Sequence, residues 1–167
     1  YATVGAIVAV GATPVLVDAD ERFQIDARKI EEAISNKTKA VLPVHWGGAS
    51  PDMKSIKRIC DEKQILIVED ACMGIGAKVQ GLNPGTIGQV NAYSMHPLKS
   101  LNVMGDGGMV VTDNESLYSW MKKYRNHGMV RDYNALDHNS WHYEMHSLGF
   151  NYRLTDIQCA LGRSKLK

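Results

Sequence analysis

The sequence has little of most features that narrow a protein's class at a glance. Cysteine occurs only as Cys60, Cys72 and Cys159, an odd number without C-x-x-C spacing, which argues against a disulfide framework or a thiolate zinc site. The three are read as reduced thiols, and the compartment as cytosolic. No apolar run approaches the roughly 18 residues of a transmembrane helix, so no segment is expected to cross a membrane. Neither sign of charge dominates: 19 basic and 18 acidic residues are scattered along the chain for a net charge of +1. That balance leaves no footprint for nucleic acid or an anionic membrane. A signal-peptide pattern is missing as well, because Tyr1 opens directly on structured-looking sequence. The last residues, Arg163 to Lys167, stop within a helical pattern, so both ends read as cut and the chain as a segment of a longer protein.

What is present is the composition of an ordinary globular domain, 44% hydrophobic and 22% charged. Short β-branched runs alternate with helical periodicity, which predicts βα units and a largely parallel sheet. Val15 to Asp18, Ala40 to Val44 and Ile65 to Val68 are the predicted strands. Between the last two, Met53, Ile56, Ile59 and Cys60 lay one apolar stripe along a helix, and the crossover is expected to be right-handed. A second helix is predicted over Asp26 to Ile34, with Asp26 as N-cap and Ala27, Ile30, Ala33 and Ile34 on one face. A third runs from Asn114 to Tyr124, with Leu117, Trp120, Met121 and Tyr124 inward. A fourth starts at Thr155, where Thr155 and Gln158 form a capping box and Leu154 faces Cys159 as a hydrophobic staple. Val130 to Ser147 is polar, aromatic and aperiodic, and reads as a long loop that includes Arg131, Tyr133, His138, Trp141 and His142. It is a candidate contact for substrate, or equally a solvated connection or a dimer contact.

Ligands of open α/β sheets sit beyond the carboxyl ends of the strands. That rule singles out His45-Trp46-Gly47-Gly48, Glu69-Asp70-Ala71-Cys72-Met73 and Ser94-Met95-His96-Pro97-Leu98-Lys99. Asp70 alone reads equally well as a cap for the following turn, and Lys99 alone as a solvated surface cation. Together they end neighbouring candidate strands and are expected to face one crevice. A lysine partly desolvated between a proline and glycines can give up its proton and act as a Schiff-base nucleophile. The cluster Gly105, Gly107 and Gly108 precedes a strand and opens no helix, so it fails the dinucleotide-binding pattern and reads as a tight turn or a close backbone approach. His138, His142 and His146 recur at helical spacing, but without an accompanying carboxylate or cysteine at ligand spacing they are not assigned a metal.

Glu69-Asp70-Ala71, the segment Tyr93 to Lys99, Gly105-Asp106-Gly107-Gly108, Arg125-Asn126-His127-Gly128 and the run Gly149 to Gln158 together resemble the DegT/DnrJ/EryC1/StrS family of pyridoxal-phosphate sugar aminotransferases. Gly11 to Asp18 and Pro43-Val44-His45 fit the same pattern, so the resemblance covers nearly the whole chain in order. It implies an α/β fold, the large domain of a fold-type-I, aspartate-aminotransferase-like pyridoxal-phosphate transferase. Residues 1–167 would be its central part, with an N-terminal segment and a small C-terminal domain lying outside the chain.

For individual residues the resemblance implies that Lys99 carries the cofactor as a Schiff base, Asp70 pairs with the pyridine nitrogen and Ser94 hydrogen-bonds the phosphate. Asn151 would reach the phosphate held by a neighbouring subunit, which requires a homodimer. Met73 stands where many relatives have Gln or His beside the cofactor's phenolic oxygen, and it offers that oxygen no hydrogen bond. Asp106 replaces a frequent glutamate, and the family's ring-stacking aromatic and first phosphate turn would precede Tyr1. The resemblance implies transamination from an amino acid, glutamate, to a keto-sugar, a nucleotide-linked one, in amino-sugar or surface polysaccharide biosynthesis. Two alternatives stand beside it. One is a sugar dehydratase on the same scaffold, against which Lys99 argues because dehydratases replace it by histidine. The other is a non-catalytic regulator or interaction protein.

Overall fold

The computed structural model describes residues 1–130 and 142–167. Helices α1 (Ala2–Ala9) and α2 (Ala27–Ala33) precede strand β1 (Ala40–Val41), which is followed by α3 (Met53–Lys63), β2 (Leu66–Asp70), β3 (Val90–Ser94) and β4 (Gly108–Val111). Helix α4 (Glu115–Tyr124), the short strands β5 (Met129–Val130) and β6 (Glu144–Met145), and α5 (Asp156–Lys165) complete the order. The main sheet has the order β1-β2-β3-β4. β1, β2 and β3 are mutually parallel and β4 is antiparallel to β3, so the mostly parallel α/β sheet expected from the sequence is present.

The dense part of the molecule is the β1–α3–β2 unit. Alternation along β2 puts Ile65, Ile67 and Glu69 into the interior. Helix α3 adds Met53, Ile56, Ile59 and Cys60, and α2 adds Ala27 and Ile30. The stripe read from the sequence is therefore the one that is buried. Both helices start on the expected kind of cap. Asp26 accepts from Arg28 N, and Asp52 accepts from Ser55 N. At the other end of α3, Gln64 in the left-handed region (φ 55°) turns the chain into β2. β1 is shorter than the predicted Ala40–Val44. Pro43 has no N–H to give to the ladder, and pairing resumes beyond it where Asp70 N donates to Pro43 O and His45 N to Asp70 O.

Other expectations need correction. Val15 to Asp18 forms no strand ladder: Val15 and Leu16 are 67% and 82% exposed, and the nearest bridge joins Ala19 to Ile25. Trp120 does not point inward; it is 48% exposed and stacks on Tyr124 with ring centroids 4.6 Å apart. The capping box of α5 forms as predicted, but Leu154 packs against Met95, Leu101 and Val103 while Cys159 is exposed. Val130 and Glu144–Met145, read as loop, pair as β5 and β6. Arg131, Tyr133, His138 and Trp141 lie outside the described residues. Cys60, Cys72 and Cys159 are free thiols. Among the described residues, no helix is long and apolar enough to cross a membrane.

Candidate active site

Asp70 ends β2 and Ser94 ends β3, and the parallel register that sets Asp70 opposite Ala92 opens both carboxyl ends on the same edge of the sheet. The strand's alternation separates two adjacent carboxylates: Glu69 turns into the core, and Asp70 turns to the opposite face, half-buried.

Both oxygens of Asp70 have donors. Thr3 Oγ1 of α1 donates to Oδ2 at 2.6 Å, and Cys72 N donates to Oδ1 at 3.2 Å. Burial pushes the Asp70 carboxyl up, but the donors on Cys72 and Thr3, with the positive charge of Lys99 behind them, outweigh burial and hold it below its ordinary value. The Cys72 thiol moves the other way. Burial, then the charge of Asp70, pushes it up to about 12, so it remains a protonated donor. Lys99 is half-buried in a turn closed by its own N–H donating to His96 O at 2.8 Å. That turn is anchored to the strand end, because His96 N donates to Ser94 Oγ at 3.2 Å. Sequence and structure thus agree in bringing Asp70, Ser94 and Lys99 to one sheet edge, with the Asp70 carboxylate within electrostatic reach of Lys99.

Met73, also half-buried, lies in the turn after β2. The loop after β1 approaches it so closely that a Cβ on Gly48, which has φ +80°, would stand 3.1 Å from Met73 O. The glycine cluster serves close approach, as one of its sequence readings proposed. Met95 N donates to Gly107 O at 2.8 Å, and a Cβ on Gly107 would meet Leu154 at 2.7 Å. Gln158 Nε2 of the α5 capping box donates to Asp106 O at 3.0 Å, tying α5 to the turn. Asn151 is not drawn into this cluster. It is exposed and bridges to Asn126. Of the sequence-noted histidines, His142 and His146 both approach Glu144, at 3.8 Å and 3.0 Å.

Beneath the edge lies a buried pair that the sequence reading did not connect. His45 Nε2 and Glu69 Oε2 are 2.7 Å apart, and both side chains are 0% exposed. The remaining acceptor capacity of Glu69 is taken by the backbone N–H groups of Gly85, Ile87 and Gly88 at 2.6–2.7 Å. Burial works against the charged form, but these four donors, His45 foremost, hold the Glu69 carboxyl below its ordinary value. Thr3 was missed too. Its only sequence signal is a hydroxyl in the otherwise apolar stretch Ala2-Thr3-Val4-Gly5-Ala6-Ile7-Val8.

The model of the DegT/DnrJ/EryC1/StrS aminotransferase family matches residues 1–167. The chain belongs to this family. A UDP-N-acetyl-3-dehydro-alpha-D-glucosamine 3-aminotransferase of Acidithiobacillus ferrooxidans is 38% identical over 165 residues, 98% of this chain and 42% of that protein. A pleiotropic regulatory protein of Geobacillus stearothermophilus is 39% identical over 162 residues, 96% of this chain and 41% of that protein. NtdA from Bacillus subtilis, solved with bound cofactor PMP, superposes with a TM-score of 0.82 at 34% identity, over 99% of this chain and 36% of that one. The chain thus spans less than half the length of these relatives. The strand-edge cluster of this family member has the chemistry that pyridoxal phosphate requires. Asp70 offers a carboxylate held ionised, Lys99 a primary amine and Ser94 a hydroxyl, a donor set that would suit a ring nitrogen, an aldehyde and a phosphate.

Proposed function

We propose that the protein containing this chain is a pyridoxal-phosphate aminotransferase that moves an amino group from an amino acid, glutamate by family resemblance, to a keto-sugar carried on a nucleotide. The reading places it in the cytosol, in amino-sugar or surface polysaccharide biosynthesis, with residues 1–167 forming part of the large cofactor-binding domain. The observation that carries it is the Asp70 carboxylate, held ionised at the tip of β2 with Lys99 in electrostatic reach beyond the tip of β3.

When bound, the cofactor supplies a sink for the electron pair left at the donor's α-carbon as its proton departs. Asp70 keeps a proton on the ring nitrogen, because a carboxylate that stays charged at that contact favours the protonated ring. Lys99 would hold the cofactor through its Nζ, and the same Nζ, when free, would be the base that moves the proton. Ser94 Oγ orients the phosphate, a neutral contact that positions without reacting. Met73 offers a thioether and donates no hydrogen bond to the phenolic oxygen. Asn151, exposed and bridged to Asn126, would serve a second subunit, so the reading includes a homodimer.

A regulator on the same scaffold is the second reading, favoured by Met73 and by the name of the Geobacillus relative. Borohydride reduction of the full-length protein after addition of pyridoxal phosphate, followed by peptide mapping, separates the two. A pyridoxyl label on Lys99 that the Lys99→Ala variant loses together with transamination supports the enzyme; a folded dimer without label at Lys99 supports the regulator.

A further inference from the structure

Helix α1 is exposed along its length except at Thr3 and Ile7, which are half-buried one turn apart on the face toward the sheet. Thr3 sits in the first turn, where its hydroxyl has no preceding-turn carbonyl within the helix to bond. It turns instead to Asp70 Oδ2 at 2.6 Å, across 67 residues of sequence. That is a short contact of the charge-assisted kind. Cys72 N takes the other oxygen, so the plane of the carboxylate is fixed from both sides. Each oxygen still has a lone pair for a further donor. The titratable and charged groups that act on Asp70 are the Cys72 thiol and the Lys99 ammonium; Glu69 turns to the opposite face against His45.

We propose that Thr3 is a positioning residue for the reaction: its hydroxyl orients the Asp70 carboxylate and keeps it charged for the ring nitrogen of pyridoxal phosphate. The inference rests on the aminotransferase reading above. Thr3 touches no reacting atom and works only through Asp70. Removing its O–H leaves Asp70 with Cys72 as its donor, so the carboxyl titrates at higher pH and rotates more freely. A hydrogen bond to a charged group is the stronger class of such bonds, and its loss is expected to weaken cofactor binding about tenfold or more.

The test uses the full-length protein and its Thr3→Val and Thr3→Ser variants. Valine preserves the shape without the hydroxyl, and serine restores the hydroxyl. Pyridoxal phosphate affinity is measured by titration from neutral pH downward, alongside the amination half-reaction with glutamate followed by absorbance. Thr3→Val is expected to bind about tenfold more weakly, to lose binding at a higher pH than the parent on acidification, and to show a lower kcat with little change in the KM for glutamate. Thr3→Ser is expected to recover most of each. If the parent protein binds and Thr3→Val matches it in affinity and acid limb, the positioning role is overturned while the aminotransferase reading stands. A parent that takes up no pyridoxal phosphate overturns both. Should Thr3→Val fail to fold, a Thr3→Ser variant with an acid limb displaced as far as that of Thr3→Ala would equally overturn the role of the hydroxyl.

Discussion

Two stretches of this chain are built to different densities. From Gln24 to Asn91 the apolar stripe of α3, the inner face of β2 and the first turn of α2 close on one another, and polar groups caught among them, Gln24, His45 and Glu69, are bonded there. From Asn114 onward the helices lie open. Tyr118 and Trp120 of α4 are about half exposed, and among the described residues of α5 only Gly162 is buried. Local rules form both regions equally well, since Asn114 and Thr155 cap their helices as neatly as Asp26 and Asp52 do. The difference is therefore one of tertiary cover. Asp70 stands on the dense side and Ser94 just beyond it at the end of β3, whereas Asn151 stands on the open side.

The sharpest way to break this contrast is at Glu69. Glu69→Ala strips a buried hydrogen-bonded carboxylate from His45 and three backbone N–H groups, and is expected to destabilise the full-length protein by about 3–5 kcal/mol in a chemical unfolding titration. The same group sets an acid limit. Its carboxyl is held below the ordinary value of 4.5, so its contribution is complete above that pH and is lost as pH falls through the depressed value. Unfolding midpoints between neutral pH and pH about 3 should fall steeply for the parent and less for a Glu69→Gln variant.

A smaller effect is expected at Ile56, which is 0% exposed at the centre of the α3 stripe. Ile56→Ala removes apolar volume where the neighbours cannot close, at about 3 kcal/mol. On the open side, Thr155→Ala removes the hydroxyl half of a capping box, the acceptor of Gln158 N, and is expected to cost about 1 kcal/mol, read as a shift of a few degrees or less in the thermal midpoint. If Thr155→Ala matched Ile56→Ala, the open region would be as strongly held as the dense one, and the contrast would fail.

The same contrast explains what could be read from the sequence. Met53, Ile56, Ile59 and Cys60 were legible because a period of 3.6 residues and burial coincide in α3. The positions of Asp70 and Ser94 at strand ends, with Lys99 just beyond, were legible because the runs that form β2 and β3 stop there. Val15 and Leu16 have the same β-branched and apolar character as a strand, but strand preference expresses fit to a half-buried pleated surface, and these two side chains are exposed. Helix α1 carried the opposite error. Gly5 and its β-branched neighbours Thr3, Val4, Ile7 and Val8 are weak helix formers, and no polar face marks a period, so nothing local announced it. The contacts Thr3 to Asp70 and His45 to Glu69 join residues far apart in sequence; the register of the parallel strands brings the second pair together, and the seating of α1 against the sheet the first.

Glu69 also changes how the connection between β2 and β3 can be engineered. At Gln80–Gly81 the chain makes a two-residue hairpin with both residues exposed and at positive φ (53° and 82°), closed by Val79 and Leu82. Four residues later, Gly85, Ile87 and Gly88 are pinned by their amides to one carboxylate. A tag, a reporter peptide or a new terminus from circular permutation fits at the first point, where backbone bonds close the turn from outside. At the second it would pull amides from a carboxylate that no water can reach, so one short irregular segment contains both a permissive splice point and a forbidden one.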